Sequence, residues 1–232
     1  MVQQYKNDAN ARRRWYIVLF AVGALALIIA ATALIYQFVH DDSVSTALPE
    51  AKVVNGLYSP PPRTKTSGCV IRHALPDPEC TPGAVDTSVT KEGVCTRYTQ
   101  NARHPNKRLD NEVFAEYGLS RGGDTKYEND HVISLELGGA DADIANHFPQ
   151  AYEDKTKIQK MRAGELPDDE LGAHAKDMVE SWLHQRVCND KMPAEYRLEL
   201  WQAQYKIATQ WVAVFHELLE FRKQHPSRRR PH

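Results

Sequence analysis

The chain has almost no net charge. Its 29 Lys and Arg are set against 30 Asp and Glu, for a formal net charge of −1. A coat of positive charge for nucleic acid is therefore excluded, and any affinity for a polyanion has to come from a local patch. Cysteine is scarce, at four residues, and no two of them stand as a C-x-x-C pair. The wide spacings exclude the compact zinc ribbons that such pairs frame. There is no internal repeat, so solenoids and propellers are excluded as well.

One long apolar run is present, and it lies near the start. From Ile17 to Ile35 the only side chain with a hydrogen-bonding group is Thr32. About 19 such residues suffice to cross the hydrocarbon core of a bilayer as a helix. Trp15, Tyr16 and Tyr36 sit at its ends, where amphipathic rings favour the interface. A cleaved signal peptide has a shorter apolar region and a small-x-small cleavage site, and Tyr36-Gln37-Phe38-Val39-His40 does not supply one. The run thus predicts a transmembrane anchor over 15–39. Lys6, Arg12, Arg13 and Arg14 precede it, and Asp41 and Asp42 follow. Positive flanks stay in the cytoplasm, which makes 1–14 a cytoplasmic segment and puts the C-terminal bulk outside.

Cysteine placement agrees with that orientation. Cys69, Cys80, Cys95 and Cys188 all fall in the exported part, where an even count implies two disulfides. Of three connectivities, 69–80 with 95–188 is favoured: the first closes a short local loop, and the second ties the early part of the domain to the late part.

Along the exported part, 40–68 predicts a proline-rich stalk around Ser59-Pro60-Pro61-Pro62, and 69–100 is turn-rich. A helix is predicted over 105–117, with Gly118 as its stop. The spacing predicts a strand over 131–137 ended by Gly138-Gly139, and a short second strand over 147–150. Segment 153–172 is highly charged and predicts a surface insertion or exposed helix. A helix to Val187 follows, with Val179, Leu183 and Val187 four residues apart. A long helix is predicted over 194–223, with Leu200, Ile207, Trp211, Phe215 and Leu218 on one face. The domain then spans 69–224, and 225–232 is a basic tail.

The chemistry-bearing signal is Tyr127-Glu128-x-Asp130-His131-x-Ile133-x-Leu135-Glu136-Leu137-Gly138-Gly139, followed by Ala145-Asn146-x-Phe148-Pro149. This pattern resembles the HNH nucleases of the ββα-metal superfamily, in particular an exported bacterial subgroup. Flanking matches, from Leu75-Pro76-Asp77 and Cys80-Thr81-Pro82-Gly83 to His174-x-Lys176-Asp177, Val187-Cys188 and Trp211, extend it over roughly 69–215. The resemblance implies an α+β fold with a ββα-metal core, added helices and disulfide-stapled N-terminal loops. It implies His131 as the general base for a water, Asn146 as the residue that holds this histidine across the loop, and Asp130 as a ligand of one divalent cation (Mg²⁺, Mn²⁺ or Zn²⁺). By the same resemblance His174 is the first candidate for the ligand on the following helix. Asp177, one turn later on the same face, is the second.

The chemistry suits these residue types. A cation stabilises charge on the phosphate and leaving oxygen, and an imidazole can take the water's proton near neutral pH. The pattern departs from compact HNH sequences in one place. His174 lies far beyond Asn146, so either 153–172 is an insertion or the ligand lies within it, at Glu153 or Asp154. The expected function is a membrane-tethered, metal-dependent endonuclease acting on nucleic acid, DNA ahead of RNA. The alternative is a non-catalytic HNH-like module that binds an envelope partner. His147 and His184 are expected at the polar surface, and Trp182, Trp201 and Trp211 in the core.

Overall fold

A computed structural model describes residues 51–72, 74–96, 103–121 and 126–226. The chain divides into two units, Met1–Glu50 and Ala51–His232, and every described residue belongs to the second. The expected cytoplasmic segment 1–14, the anchor over 15–39 and residues 227–232 of the tail lie outside the described residues. Among the described residues, no helix is long and apolar enough to cross a membrane.

The second unit is a mixed α+β fold with two small two-stranded sheets. The first sheet is the hairpin of β1 (Val53–Val54) and β2 (Leu57–Tyr58), turned by Asn55 and Gly56, both at positive φ. Paired positive φ values at Asn-Gly give the tight turn whose twist matches the strands. Leu57 and Tyr58 are buried, and the Tyr58 amide donates to Gln204 at 2.9 Å. The expected stalk therefore packs onto the domain from this point: the apolar pair outweighs the extended bias of the prolines that follow.

The second sheet carries the site. β3 (Tyr127–His131) pairs antiparallel with β4 (His147–Ala151), in a register that runs from Tyr127↔Ala151 to His131↔His147. The predicted strand over 131–137 is thus displaced, since β3 ends where that strand was expected to begin. Leu135 and Leu137 are both buried, which period-2 alternation allows, but they form a 3₁₀ turn, Leu135–Leu137. The turn closes because Gly138 adopts φ +79, and because a Cβ on Gly139 would lie 1.8 Å from the Ile133 carbonyl oxygen.

The helices follow their apolar periodicity. A four-residue turn, α1 (Lys91–Val94), precedes α2 (Lys107–Glu116), which Asn106 caps by accepting from the Arg108 and Leu109 amides. The charged excursion after β4 contains the short α3 (Ile158–Ala163), anchored by buried Met161. Next come α4 (Ala173–Cys188) and α5 (Leu200–Gln224). α5 is kinked at Gln210, whose φ and ψ are not helical. Packing of α4 along α5 makes the main core: Val179, Leu183 and Val187 from the first, and Ile207, Trp211, Phe215 and Leu218 from the second. Trp182 is also buried, against Phe221 at 4.3 Å between ring centroids. Both disulfides have the expected pairing, Cys69–Cys80 and Cys95–Cys188. The second fastens the segment after α1 to the end of α4.

Candidate metal centre on the β-hairpin

Side chains alternate across a strand, so consecutive residues of β3 serve opposite faces. Asn129 and His131 face α2 and a polar groove of about 160 Å³. Asp130 faces α4, where its carboxylate meets Lys176 at 2.7 Å.

Asn146 builds the groove side. It is fully buried and uses both ends of its amide. Its Oδ1 accepts from the Ile133 amide at 2.9 Å and the Ala84 amide at 3.2 Å. Its Nδ2 donates to the Ile133 and Ala140 carbonyls, each at 3.0 Å. One side chain thus pins both ends of the loop that joins the strands. These bonds fit the expectation that Asn146 acts across the loop, although it touches the backbone and not the histidine.

Asp141 follows directly in the loop that Asn146 holds. Its Oδ1 lies 3.0 Å from His131 Nε2, its Oδ2 accepts from the His104 amide at 2.5 Å, and its carbonyl oxygen lies 2.8 Å from His147 Nε2. A carboxylate and a carbonyl can only accept, so each histidine carries its proton on Nε2 and keeps a lone pair on Nδ1. The ring centroids of His131 and His147 are 4.3 Å apart. Burial lowers the pKa of His131 to about 4, helped by His147 next to it, and burial lowers that of His147 too. Both rings are therefore neutral near pH 7, the state in which imidazole ligates a metal.

His131, Asp141 and His147 can hold a metal ion, since one ligating atom from each lies within 4.8 Å of the other two. Two imidazoles and a carboxylate form a donor set suited to zinc and other first-row divalent ions. A cation there would take the place of the proton now shared between His131 and Asp141. Asn129 adds a second fit. Its Nδ2 is engaged with Asp110 at 2.7 Å and with His147 Nδ1 at 3.3 Å, while its Oδ1, on the wall of the same groove, is buried with no hydrogen-bond partner among the described residues. Arg103 and Arg121 stand at the groove as well, the second paired with Asp110.

The expected ligands are arranged differently. Among the described residues, Asp130, His174 and Asp177 do not form a group with all ligating atoms within that reach. Asp130 shares a buried ammonium. Lys176 is 1% exposed and donates to Asp130 Oδ2 at 2.7 Å, the His131 carbonyl at 2.6 Å and Glu180 Oε1 at 2.5 Å. Burial alone would lower the pKa of the lysine, but the Asp130 and Glu180 carboxylates outweigh it and hold that pKa above the ordinary value. Asp177 lies close enough to Asp130 for burial and that neighbouring charge to raise its own pKa. His174 Nδ1 is bound to Glu153 at 2.9 Å. Glu153, the alternative ligand, is buried at the start of α4 and accepts from the Gly172, His174 and Ala175 amides. It therefore serves as a cap contributed from a distance. Asp154 caps the next turn by accepting from the Thr156 amide.

Two groove residues were missed by sequence reasoning. His147 is 5% exposed, against the expectation of a surface position, and Asp141 is not among the residues the sequence pattern points to. The available signal was register: if the strands close at His131, the first residue of the returning strand is opposite it, and a carboxylate in the connecting loop can reach both. His184 is also less open than expected, lying 3.2 Å from the Val94 carbonyl and 3.5 Å from Cys188 Sγ. Compared with known protein families, with curated proteins and with solved structures, the chain matches none of them.

Proposed function

We propose that the domain is a metal-dependent phosphodiester hydrolase of HNH type, acting on nucleic acid outside the cytoplasm, with the cation held by His131, Asp141 and His147. The observation that carries this reading is the convergence of those three side chains in a groove that also presents Arg103 and Arg121. A divalent ion at such a site supplies charge stabilisation for the phosphate and lowers the pKa of water to near neutral. Around it the chain's own residues have separable tasks. Asp141 contributes negative charge to an otherwise neutral donor set and orients His131. Asn146 fixes the loop from which Asp141 projects. The two guanidinium groups attract and align a phosphodiester, for which their planar fork is suited. His131 would then be a ligand, and the general base of the resemblance would not be needed, since a water acidified by the cation would give its proton to solvent.

In chain order the hairpin of β3 and β4 is followed, after the excursion that contains α3, by α4, which Lys176 ties to Asp130 and His131, an order compatible with the ββα pattern that the sequence implies. The two disulfides agree with an oxidising compartment and so with export past a membrane anchor. The test is to incubate the purified protein with plasmid DNA and with RNA in the presence of Mg²⁺, Mn²⁺ or Zn²⁺, each with and without EDTA. EDTA-sensitive cleavage, stronger on DNA, is expected. A second reading, a non-catalytic module binding an envelope partner, is favoured by one observation: Lys176 occupies the Asp130 carboxylate. Metal binding without cleavage of either nucleic acid would select it.

A further inference from the structure

Lys176 is the most deeply buried cation near the site, and the proposed reaction makes no use of it. An ammonium has three protons. Here they go to three acceptors: Asp130 Oδ2, the His131 carbonyl oxygen and Glu180 Oε1. Two acceptors belong to consecutive residues at the end of β3, and the third lies one turn along α4. The lysine therefore bridges the helix to the strand terminus from which His131 enters the groove. A neutral amide or hydroxyl in its place would leave two partly buried carboxylates without their counter-charge.

We propose that Lys176 is a positioning residue with two effects: its ammonium serves as the permanent cation of Asp130, removing that carboxylate from the metal-ligand set, and its bond to the His131 carbonyl fixes the backbone that aims His131 at Asp141 and His147. This inference rests on the reading of the groove as a metal site. The internal cation lies on the α4 face of the hairpin and the exchangeable one on the α2 face. Asp130 and His131, though adjacent in sequence, then serve different cations.

The test uses the full chain, Co²⁺ alone as the probe, and three variants. Asp130→Asn keeps the lysine's bond to the His131 carbonyl and is expected to leave Co²⁺ affinity and the cobalt absorption spectrum within about threefold of the parent. A loss of roughly tenfold or more there would overturn the proposal, because the Asp130 carboxylate would then still act on the bound cation rather than being taken up by Lys176. Lys176→Met removes the donor and the charge together. Lys176→Met combined with Asp130→Asn and Glu180→Gln removes the same bond while leaving no buried charge, so it remains informative if the single variant fails to fold. The triple variant is expected to unfold cooperatively, to bind Co²⁺ at least about tenfold more weakly, and to lose the slowly exchanging imidazole proton of His131 in NMR spectra. Unchanged cobalt affinity with the imidazole signal retained would mean that Lys176 only supports the fold. Should the parent itself bind no Co²⁺, the metal reading fails, and the imidazole signal alone then decides for or against Lys176.

Discussion

Lowering the pH of the metal-free protein should weaken it through His131 in a definite window. Burial and the neighbouring His147 lower the pKa of His131 from 6.5 to about 4. In the unfolded chain the imidazole regains its ordinary value and takes up a proton first. The stability linked to the neutral ring is therefore complete above about pH 6.5, is lost as the pH falls from there toward 4, and does not change further below that. The gap corresponds to roughly 3 kcal/mol, and the side chain is only 7% exposed, so solvent screening takes little from it. Other buried groups titrate in the same range, Glu180 among them with a pKa raised to about 7 by burial. The measurement is therefore differential: urea denaturation of the parent and of His131→Gln, each from about pH 7.5 to 4.5. The advantage of the parent over the variant should shrink by roughly 3 kcal/mol across that range. His131 and His147 are in ring contact, so the step belongs to the pair, and His147→Gln should shift its midpoint upward. A parent-to-variant difference that stays constant with pH would mean that His131 is not held neutral by its surroundings.

The remaining predictions concern the cation, the loop and the disulfides. Asp141→Asn keeps the shape of the hydrogen bond to His131 but removes the one carboxylate of the proposed ligand set. It should weaken Zn²⁺ binding at least about tenfold by calorimetry, and unchanged affinity would remove Asp141 from the site. Gly139→Ala would drive a Cβ to within 1.8 Å of the Ile133 carbonyl oxygen and 2.8 Å of Asn146 Nδ2, and should cost roughly 3 kcal/mol in thermal unfolding while reducing Zn²⁺ affinity. Opening Cys95–Cys188 by a double change to serine should cost roughly 4–5 kcal/mol, against about 3 for Cys69–Cys80, because the first spans 93 residues and the second 11. Equal losses in melting temperature would show that the unfolded-chain argument does not govern here.

What the sequence revealed depended on how local the cause was. α5 was legible because its apolar residues recur at helical spacing and face α4, and the kink at Gln210 was not, because nothing in the periodicity breaks there. The disulfide pairing followed from loop lengths and compartment. The two strands were located but shifted: Leu135 and Leu137 alternate like a strand, yet both are buried in a turn whose closure depends on the tight approach of Gly139 to Ile133. The groove was half legible. His131 and Asn146 were singled out by pattern. Asp141 and His147 become neighbours of His131 only once the register His131↔His147 is fixed. Lys176 was visible as a matching residue but not as a partner of Asp130, 46 positions earlier.

The long stretch between Asn146 and α4 is closed off by how the excursion folds back. β4 ends at Ala151, and two residues later Glu153 turns inward with its side chain fully buried. Its two oxygens accept from the amides of Gly172, His174 and Ala175 and from the His174 ring, and so bring the start of α4 back to the end of β4 across nineteen or more positions of sequence. A carboxylate at a helix N-terminus meets both unpaired amides and the positive end of the helix dipole. Gly172 makes the approach feasible, because a Cβ there would lie 2.2 Å from the Ala151 carbonyl oxygen. Whatever lies between the two closure points can then vary in length without moving α4 relative to the hairpin. The spacing from Asn146 to the helix is therefore uninformative about where the helix residues fall. Lys176 reaches Asp130 because Glu153 and Gly172 set the first turn of α4.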